Sequence, residues 1–439
     1  MTSNPLNLDF ITYYNRRPVF SGLFLFFIFS FSQIFGFDYK PKISNIEIIG
    51  LSKTKPYIVK REIRQPLNSF LDSSIVELDR NRIFNLGLFD EVSWRLVPLE
   101  NDYAILQFIL IESIHKLPPL ILPSYDEEKG WSLRGVFLIK NFQGKNRTIE
   151  LNGSIGAQKK IQLLFSDPWI FGNHISLLMY VEKNSYKHLF LDRSVDINTI
   201  RMELGKWYGE KFKIRFSPAV VGRVYRNDSD TLTYNYFMPN LKLVYDTRDI
   251  YWYPRKGMRL INKFAPMLGQ NEFFIWDQSY SIYLPIFDSK HNVTLAMNVT
   301  SKKKWGYKGD VWLSYFGNTY NIRGWNLPGL IKNNSVSENY RFGHEYILST
   351  IEFRKLIIPK HRSRRGMLNG LCIAAFIDGG IIFNKWSNIN EENFMGGAGF
   401  GIRVPIPMLE SIRIDLGWGI RNKKFNNNPV LHFGIQQKF

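Results

Sequence analysis

The stretch "SIRIDLGWGI", residues 411–420, alternates strictly between two kinds of side chain. A period of two is that of a β-strand, because successive side chains point to opposite faces. The apolar positions are Ile412, Ile414, Leu416, Trp418 and Ile420, and the positions between them hold Arg413, Asp415, Gly417 and Gly419. One face of this strand is therefore apolar, and the other carries either charge or no side chain.

The same alternation recurs in "GGAGFGIRVPI" (396–406) and "NVTLAMNVT" (292–300), and from about residue 117 the chain reads as one strand after another. A soluble β-sandwich would also alternate, but its apolar faces would meet in a packed core. Long strands whose second face holds Arg, Asp, Gly, Asn and Thr fit an apolar-out, polar-in membrane barrel better. The aromatic fraction of 15% (35 Phe, 22 Tyr and 11 Trp) would supply aromatic girdles. The sequence therefore predicts a mainly β protein with a transmembrane antiparallel barrel of about 16 strands.

Charge and motif content exclude several function classes. The net charge of +19 would suit nucleic acid or anionic lipid, but the basic residues are scattered apart from "KHRSRR" at 360–365. The single cysteine, Cys372, is expected to pack, and there is no Cys/His cluster for a metal. No nucleophile elbow or phosphate-binding loop is present. We expect no enzyme activity, no cofactor, no metal and no nucleic-acid partner.

The N-terminal residues are typical of an export signal. Arg16 and Arg17 precede the apolar run "VFSGLFLFFIFSF" at 19–31, which suits a signal peptide over 1–32, followed by a linker over 33–42. A short membrane anchor is the alternative. No run of 18 apolar residues follows, so a membrane location would require a closed β-barrel.

Residues 43–115 have a different pattern from the rest. "ISNIEIIG" (43–50) alternates like a strand, two helical patterns follow, and "FDEVSWRLVP" (89–98) and "YAILQFILIE" (103–112) read as strands. The second helix is expected to begin at Asp72 or Ser73 and to end at Gly87. Its predicted apolar face is Ile75, Leu78, Ile83, Phe84 and Leu86. This is a small α+β domain of the order β-α-α-β-β.

Six motifs in order carry a resemblance to a known family. They are "RIFNLGLFDEVSWRL" (82–96), "SDPWIFG" (166–172), "YDTRDIYWYPRKGMRL" (245–260), "NIRGW" (321–325), "AFIDGG" (375–380) and "LHFGIQQKF" (431–439). With them the chain resembles the BamA-type outer-membrane assembly and translocation superfamily, also called bacterial surface antigen proteins. The resemblance implies a POTRA domain at 43–115 and a 16-stranded barrel at 117–439.

The resemblance also gives Arg323 a role. Arg323, Gly324 and Trp325 lie in a long loop, 303–342, between the segments 291–302 and 343–356, roughly the eleventh and twelfth strands. In such proteins this loop folds into the barrel and its arginine contacts acidic residues of the lumen wall. Strand parity points Glu352 and Asp378 inward, and a guanidinium forks onto carboxylates. The alternative is a solvated loop arginine.

A second group of residues indicates a structural turn. Asp and Gly together with Pro favour a hairpin locked by side-chain hydrogen bonds, and we prefer this over a catalytic role. The residues are Asp246, Arg248, Asp249, Tyr253, Pro254 and Gly257.

The first barrel strand holds Pro118, Pro119 and Pro123, which cannot donate ladder hydrogen bonds. We expect a weak lateral seam between this strand and the last one, at which a client strand could pair by β-augmentation. The seam residues named from the sequence are Leu120, Pro123, Gly434 and Phe439.

Three functions stay open at this point. The first is insertion and folding of outer-membrane β-barrel proteins through the seam, the second is a two-partner-type protein translocator, and the third is a passive pore. The resemblance implies the outer membrane of a Gram-negative bacterium, with the N-terminal domain in the periplasm. Implied partners are outer-membrane lipid including lipopolysaccharide, unfolded outer-membrane or secreted client proteins, and accessory periplasmic or lipoprotein subunits. A single POTRA domain departs from the several that assembly proteins usually carry.

Overall fold

The structure is a computed structural model that describes residues 40–172, 174–286, 293–330, 336–358, 370–406, 410–435 and 437–439. The signal peptide expected at 1–32 and most of the linker expected at 33–42 lie outside these residues. No helix in the described ranges is both long and apolar enough to cross a membrane.

The N-terminal domain is a three-stranded sheet covered by two helices. Its elements are β1 (Lys42–Ile49), α1 (Pro56–Lys60), α2 (Ser73–Asn85), β2 (Phe89–Pro98) and β3 (Tyr103–Glu112). The sheet order is β1-β3-β2, with β1 parallel and β2 antiparallel to β3. The predicted order β-α-α-β-β is confirmed, and the Asp72 carboxylate caps α2 by accepting from the amides of Ser74 and Ile75.

The predicted apolar face of α2 is partly wrong. Val76, Ile83 and Phe84 are buried, whereas Leu78 is 51% exposed. Asp79 is fully buried instead, because its carboxylate accepts hydrogen bonds from the amides of Arg64 (2.9 Å) and Gln65 (3.0 Å). These bonds satisfy the buried charge and turn the helix about its axis relative to the apolar pattern.

All but two of the remaining strands form one antiparallel barrel. Sixteen are long: β4 (Lys116–Asp126), β5 (Gly130–Phe142), β6 (Arg147–Gly156), β7 (Gln158–Asp167), β8 (Ile175–Lys187), β9 (Ser194–Tyr208), β10 (Phe212–Arg226), β11 (Thr231–Asp246), β12 (Gly257–Gly269), β13 (Phe273–Ile286), β14 (Val293–Gly306), β17 (Glu345–Leu356), β18 (Cys372–Phe383), β19 (Phe394–Ile406), β20 (Glu410–Arg421) and β22 (Val430–Ile435). Three are two residues long: β15 (Ser314–Tyr315), β16 (Phe342–Gly343) and β21 (Lys424–Phe425). Strands β15 and β16 pair with each other as a separate ribbon, and the other strands follow in chain order around the barrel until β22 lies next to β4. Within the described residues this architecture confirms the predicted fold class.

In the strand formed by "SIRIDLGWGI", the apolar side chains point out of the barrel and the polar ones point into it. Arg413 and Asp415 have no exposed surface, whereas Ile412 and Ile414 beside them are half-buried. Outward-facing apolar residues on other strands are widely exposed, for example Ile200 at 63% and Ile377 at 58%. This is the pattern expected of a wall with lipid on one side.

The loop predicted at 303–342 starts later than expected. Residues 303–306 continue β14, because they pair with residues 273–276 of β13. Beyond them the connection to β17 turns into the barrel, where Phe316, Ile322 and Trp325 pack on residues of the wall. The wall residues of this cluster are Leu348, Ile382 and Met395.

Candidate functional site

Arg323 lies at the centre of a buried ion cluster inside the barrel. Its Nε and Nη2 atoms donate to the two carboxylate oxygens of Asp378 at 2.8 and 3.0 Å, and its backbone amide donates to the same group at 3.1 Å. This is the bidentate fork that a guanidinium forms with a carboxylate. The side chains of Arg323 and Asp378 have no exposed surface.

Two further carboxylates meet the same guanidinium. Nη1 donates to Glu352 at 2.7 Å and to Asp415 at 3.1 Å. The guanidinium carbon also lies 3.5 Å from the centre of the Phe376 ring, which gives a cation–π contact. The structure thus brings together Arg323, Glu352 and Asp378, which were named from the sequence, and adds Asp415.

Gly324 and Trp325 hold the loop tip against the wall. Gly324 has a φ of 89°, and a Cβ there would lie 2.4 Å from the Trp418 carbonyl carbon, so only glycine fits. Its amide donates to Nε2 of His432 at 2.8 Å. The Trp325 indole donates to the carbonyl of Gly396 at 2.7 Å. Each residue of the "RGW" motif therefore has its own anchor.

Additional cations from the wall complete the cluster. Arg354 donates to Glu352 at 2.8 Å, Arg403 to Asp415 at 2.6 Å, and Arg413 to the carbonyl of Thr319 in the loop at 2.6 Å. All three arginines are at most 1% exposed. Buried charges cost several kcal/mol to desolvate unless they are paired, so this network tolerates the loss of a member poorly.

Residues 437–439 also lie in the lumen, which corrects the assignment of Phe439 to the seam. Strand β22 ends at Ile435, and the Phe439 ring packs 4.6 Å from the Arg354 guanidinium. The Lys438 ammonium bonds Asp378 at 2.7 Å and Thr350 at 2.9 Å. Phe439 is drawn inward because its ring covers a buried arginine, and the alternation of "LHFGIQQKF" gave no sign of this contact.

The other seam residues lie on the two strands expected. Leu120 and Pro123 are on β4, with a register shift between Leu117 and Leu120, and Gly434 of β22 pairs with Arg413 of β20. Strands β22 and β4 are neighbours in the closed barrel, and β22 is six residues long, whereas the other long strands have 10 to 16 residues.

The turn residues form one hydrogen-bonded unit between β11 and β12. Asp246 accepts from Nε and Nη2 of Arg248 at 2.9 and 2.8 Å, and Asp249 accepts from the amide of Arg255 at 2.9 Å. Tyr253 and Pro254 are buried. Gly257 has a φ of 104°, where a side chain would meet the Thr247 carbonyl. The geometry is that of a stabilised turn.

A contact that sequence reasoning missed joins the first hairpin to the last strand. Glu127, between β4 and β5, accepts from Nδ1 of His432 at 3.0 Å and from the amide of Thr319 at 3.1 Å. Since Nε2 of His432 accepts from Gly324, the imidazole carries its proton on Nδ1. Nothing in the local pattern of "YDEEKG" indicated a partner so distant in sequence.

Comparison with known proteins agrees with this architecture. Residues 141–439 match the Omp85 superfamily domain, and residues 41–112 match the POTRA domain described as a surface antigen variable number repeat. The outer membrane protein assembly factor BamA of Neorickettsia risticii (strain Illinois) is 25% identical over 340 residues, which is 71% of this chain and 44% of that protein. The chain thus spans less than half of the length of this relative.

Solved structures share the fold at low identity. BamA from Haemophilus ducreyi lacking POTRA domains 1–3 superposes with a TM-score of 0.55 at 16% identity, over 90% of this chain and 83% of the other. CdiB from Acinetobacter baumannii has a TM-score of 0.55 at 12% identity, over 90% and 74% of the two chains. With its family domain spanning 141–439 behind a POTRA domain, this chain belongs to the Omp85 superfamily.

Proposed function

We propose that the protein inserts and folds β-barrel proteins in the outer membrane of a Gram-negative bacterium, with its POTRA domain in the periplasm. Its partners would be unfolded client proteins, the surrounding lipid and lipopolysaccharide, and accessory periplasmic or lipoprotein subunits. The reaction would require no cofactor and no catalytic residue, because burying the apolar face of a client strand in lipid is favourable by itself.

The observation that carries this proposal is the seam between β4 and β22. This junction is short, because β22 has six residues whereas the other long strands have 10 to 16. Strand β4 also holds Pro119 and Pro123, which donate no ladder hydrogen bond, and a register shift between Leu117 and Leu120. A short junction interrupted by prolines should open more easily than a fully paired one, and an opened strand edge is a template for another strand. A client strand would add to β4 at this edge and then leave sideways into the bilayer.

The filled lumen supports insertion over a passive pore or a translocator. The loop between β14 and β17 occupies the interior and is fixed there by the Arg323 cluster. A translocated chain would have to displace this buried network, whereas a seam leaves it in place.

A disulfide across the seam tests the proposal. Gly434 is a poor site, because a Cβ there would lie 2.8 Å from the Arg413 side chain. Cysteine pairs that combine positions 120–122 with Leu431 or Phe433 should be scanned, since these positions are exposed. A crosslinked barrel should fold but lose insertion of a reporter outer-membrane protein.

The control is a disulfide within a fully paired part of the wall. Phe353 and Ala375 lie directly opposite each other on β17 and β18, and cysteines at both positions should crosslink without loss of insertion. Normal insertion by a protein that is quantitatively crosslinked at the seam would rule out the lateral route. Secretion of a passenger that survives the seam crosslink would favour translocation instead.

A further inference from the structure

Three cations lie side by side on the inner wall of β10, β11 and β12. Arg215 is directly opposite Lys242, and Lys242 is directly opposite Lys263. We call Arg215, Lys242 and Lys263 the basic row. Like charges that face each other across neighbouring strands are destabilising, so the row is unfavourable unless anions offset it.

The basic row faces the lumen. Arg215 shares its strand face with Lys213 and Ser217, which are 7% and 6% exposed, whereas Phe216 on the opposite face is 47% exposed. On β12, Ala265 lies on the same face as Lys263 and is 2% exposed. The alternation thus places the row inside the wall, away from lipid.

The carboxylates near the row do not neutralise it. Glu203 pairs with Arg215 at 3.2 Å and Asp277 lies 3.6 Å from Lys263, but Lys242 between them forms no ion pair with a described residue. Lys242 is directly flanked by Arg215 on β10 and by Lys263 on β12, so its two nearest neighbours across the strands are cations. An anion bound next to Lys242 would therefore reduce the repulsion between Lys242 and its cationic neighbours, and the anion would itself be attracted to these cations.

The row lies at the end of the lumen next to the POTRA domain. The turn between β9 and β10 holds Glu210, which contacts Arg64 and Arg82 of the POTRA domain at 3.3 and 3.1 Å. Arg215 follows this turn by five positions on β10. The row therefore begins close to the POTRA side of the barrel.

We propose that the basic row binds an acidic, extended polypeptide segment that enters the lumen from the POTRA side. This inference rests on the proposed function, and it names the chemical class of segment that the barrel receives. Strands lie about 4.8 Å apart, so the row spans about 10 Å, and carboxylates on alternate residues of an extended chain lie about 7 Å apart. Two such carboxylates of one segment therefore reach across the row.

Peptide binding to the full-length protein in lipid nanodiscs tests the inference. The probe is a fluorescent peptide of alternating Glu and Ser, compared with a peptide of alternating Gln and Ser. The acidic peptide should bind, the neutral one should not, and added salt should weaken binding. Lys242→Gln should lower the affinity about tenfold.

Lys160→Gln is the matched control. Lys160 also lies on the inner wall, but its ammonium already pairs with Glu182 at 2.8 Å. Its replacement should leave peptide affinity unchanged. Because Lys242 lies between two cations and forms no ion pair with a described residue, Lys242→Gln should keep or raise the unfolding temperature of the barrel. Loss of the folded barrel in this variant would contradict the inference.

Other outcomes separate the alternatives. Equal affinity for the acidic and neutral peptides, or unchanged affinity in Lys242→Gln, would overturn the inference. Complete displacement of the peptide by inorganic phosphate at equal negative charge would identify a small-anion site and would also overturn it. The peptide-binding assay does not depend on client insertion. A protein that binds the acidic peptide but inserts no client would therefore contradict the proposed function and leave the inference about the basic row intact.

Discussion

Arg323 is held by three carboxylates at once, and this explains why a polar loop tip lies in the barrel interior. The bond to Glu352 reaches β17, the fork onto Asp378 reaches β18, and Asp415 adds β20. A single planar guanidinium can serve all of them because its donors point in fixed, different directions. The loop position and the wall geometry therefore depend on each other.

Arg323→Ala should destabilise the folded barrel by about 3–5 kcal/mol, because it leaves buried carboxylates without compensation. Arg323→Lys should recover part of this loss, since an ammonium keeps the charge but lacks the planar fork. The measurement is the midpoint of heat-modifiable gel mobility, together with insertion of a reporter.

Arg193→Ala is the control for this change. Arg193 pairs with Asp230, whose side chain is 45% exposed, and such solvent-screened surface pairs contribute little to stability. If Arg323→Ala behaved like Arg193→Ala in both assays, the cluster would have no structural or functional importance.

Glu112 of the POTRA domain allows a test by pH. Partial burial opposes its ionisation, but hydrogen bonds from Thr54, Ser52 and Lys53 outweigh this effect and lower the pKa of Glu112 to about 2. The ionised carboxylate therefore stabilises the turn at 52–54 above the ordinary pKa of about 4.3, and this contribution is lost as the pH falls towards 2.

Hydrogen exchange of the amides of 52–54 in the full-length protein would measure this contribution. Protection factors should fall between pH 4.5 and pH 2 in the wild type, and Glu112→Gln should show the lower protection already at pH 6 with little further change. Because Glu112 is largely solvated, the effect should stay local and below about 1 kcal/mol. The same pH profile in both proteins would contradict the assignment.

Side-chain hydrogen bonds connect the two sides of the seam between β4 and β22. Glu127 of the first hairpin bonds His432 of β22, and His432 bonds Gly324 of the loop. These two bonds connect both sides of the seam to the element that fills the lumen. Release of the loop and separation of the strands should therefore be coupled.

Glu127→Ala should increase amide exchange of β22, because a buried histidine donor then loses its acceptor at a cost of about 1–3 kcal/mol. His432→Phe should have the same effect, and the two changes together should add little, since both remove one interaction. Exchange of residues 430–434 is the measurement.

Glu128→Ala is the matched control from the same hairpin. Glu128 accepts from Tyr315 and Asn318 of the loop, and no hydrogen bond or ion pair joins it to the described side chains of β22. Glu128→Ala should increase amide exchange in the loop but should not increase amide exchange in β22. Equal exchange in the two variants would show that Glu127 acts through the loop alone.

The POTRA domain docks on the barrel through several of its turns. Asn85 at the end of α2 donates to the Asp249 carbonyl and accepts from the Tyr251 amide, both at 3.0 Å. Arg61 lies 4.2 Å from the Trp169 ring, and the Lys55 amide donates to the carbonyl of Gly144 at 2.9 Å. The turn between β11 and β12 thus also serves as a docking surface.

Asn85→Ala should broaden the distances between spin labels on the POTRA domain and on the barrel, because it removes both hydrogen bonds to the turn. Asn81→Ala is the control, since Asn81 lies one turn earlier on α2 and bonds Arg80 within the POTRA domain. Unchanged distance distributions in Asn85→Ala would mean that the remaining contacts alone fix the domain.

The sequence by itself determined the two-part architecture and the inward direction of the barrel charges. Strand periodicity is local, so "SIRIDLGWGI" identifies its own faces, and parity along β17 and β18 is enough to point Glu352 and Asp378 into the lumen. Arg413 and Asp415 lie on the polar face of the same stretch, so the sequence indicated that Asp415 points inward. It did not indicate that Arg323 is the partner of Asp415.

Only the tertiary structure decided which groups meet across the lumen. Glu127 and His432 are separated by 305 residues, and Lys438 reaches Asp378 from beyond the end of β22. The basic row depends on the register of β10, β11 and β12, and Asp79 is buried because two loop amides approach it. Register in the barrel depends on closure of the whole sheet, since one residue of slip reverses every side chain, and the approach of a loop depends on how its own domain packs. No local pattern contains either kind of information.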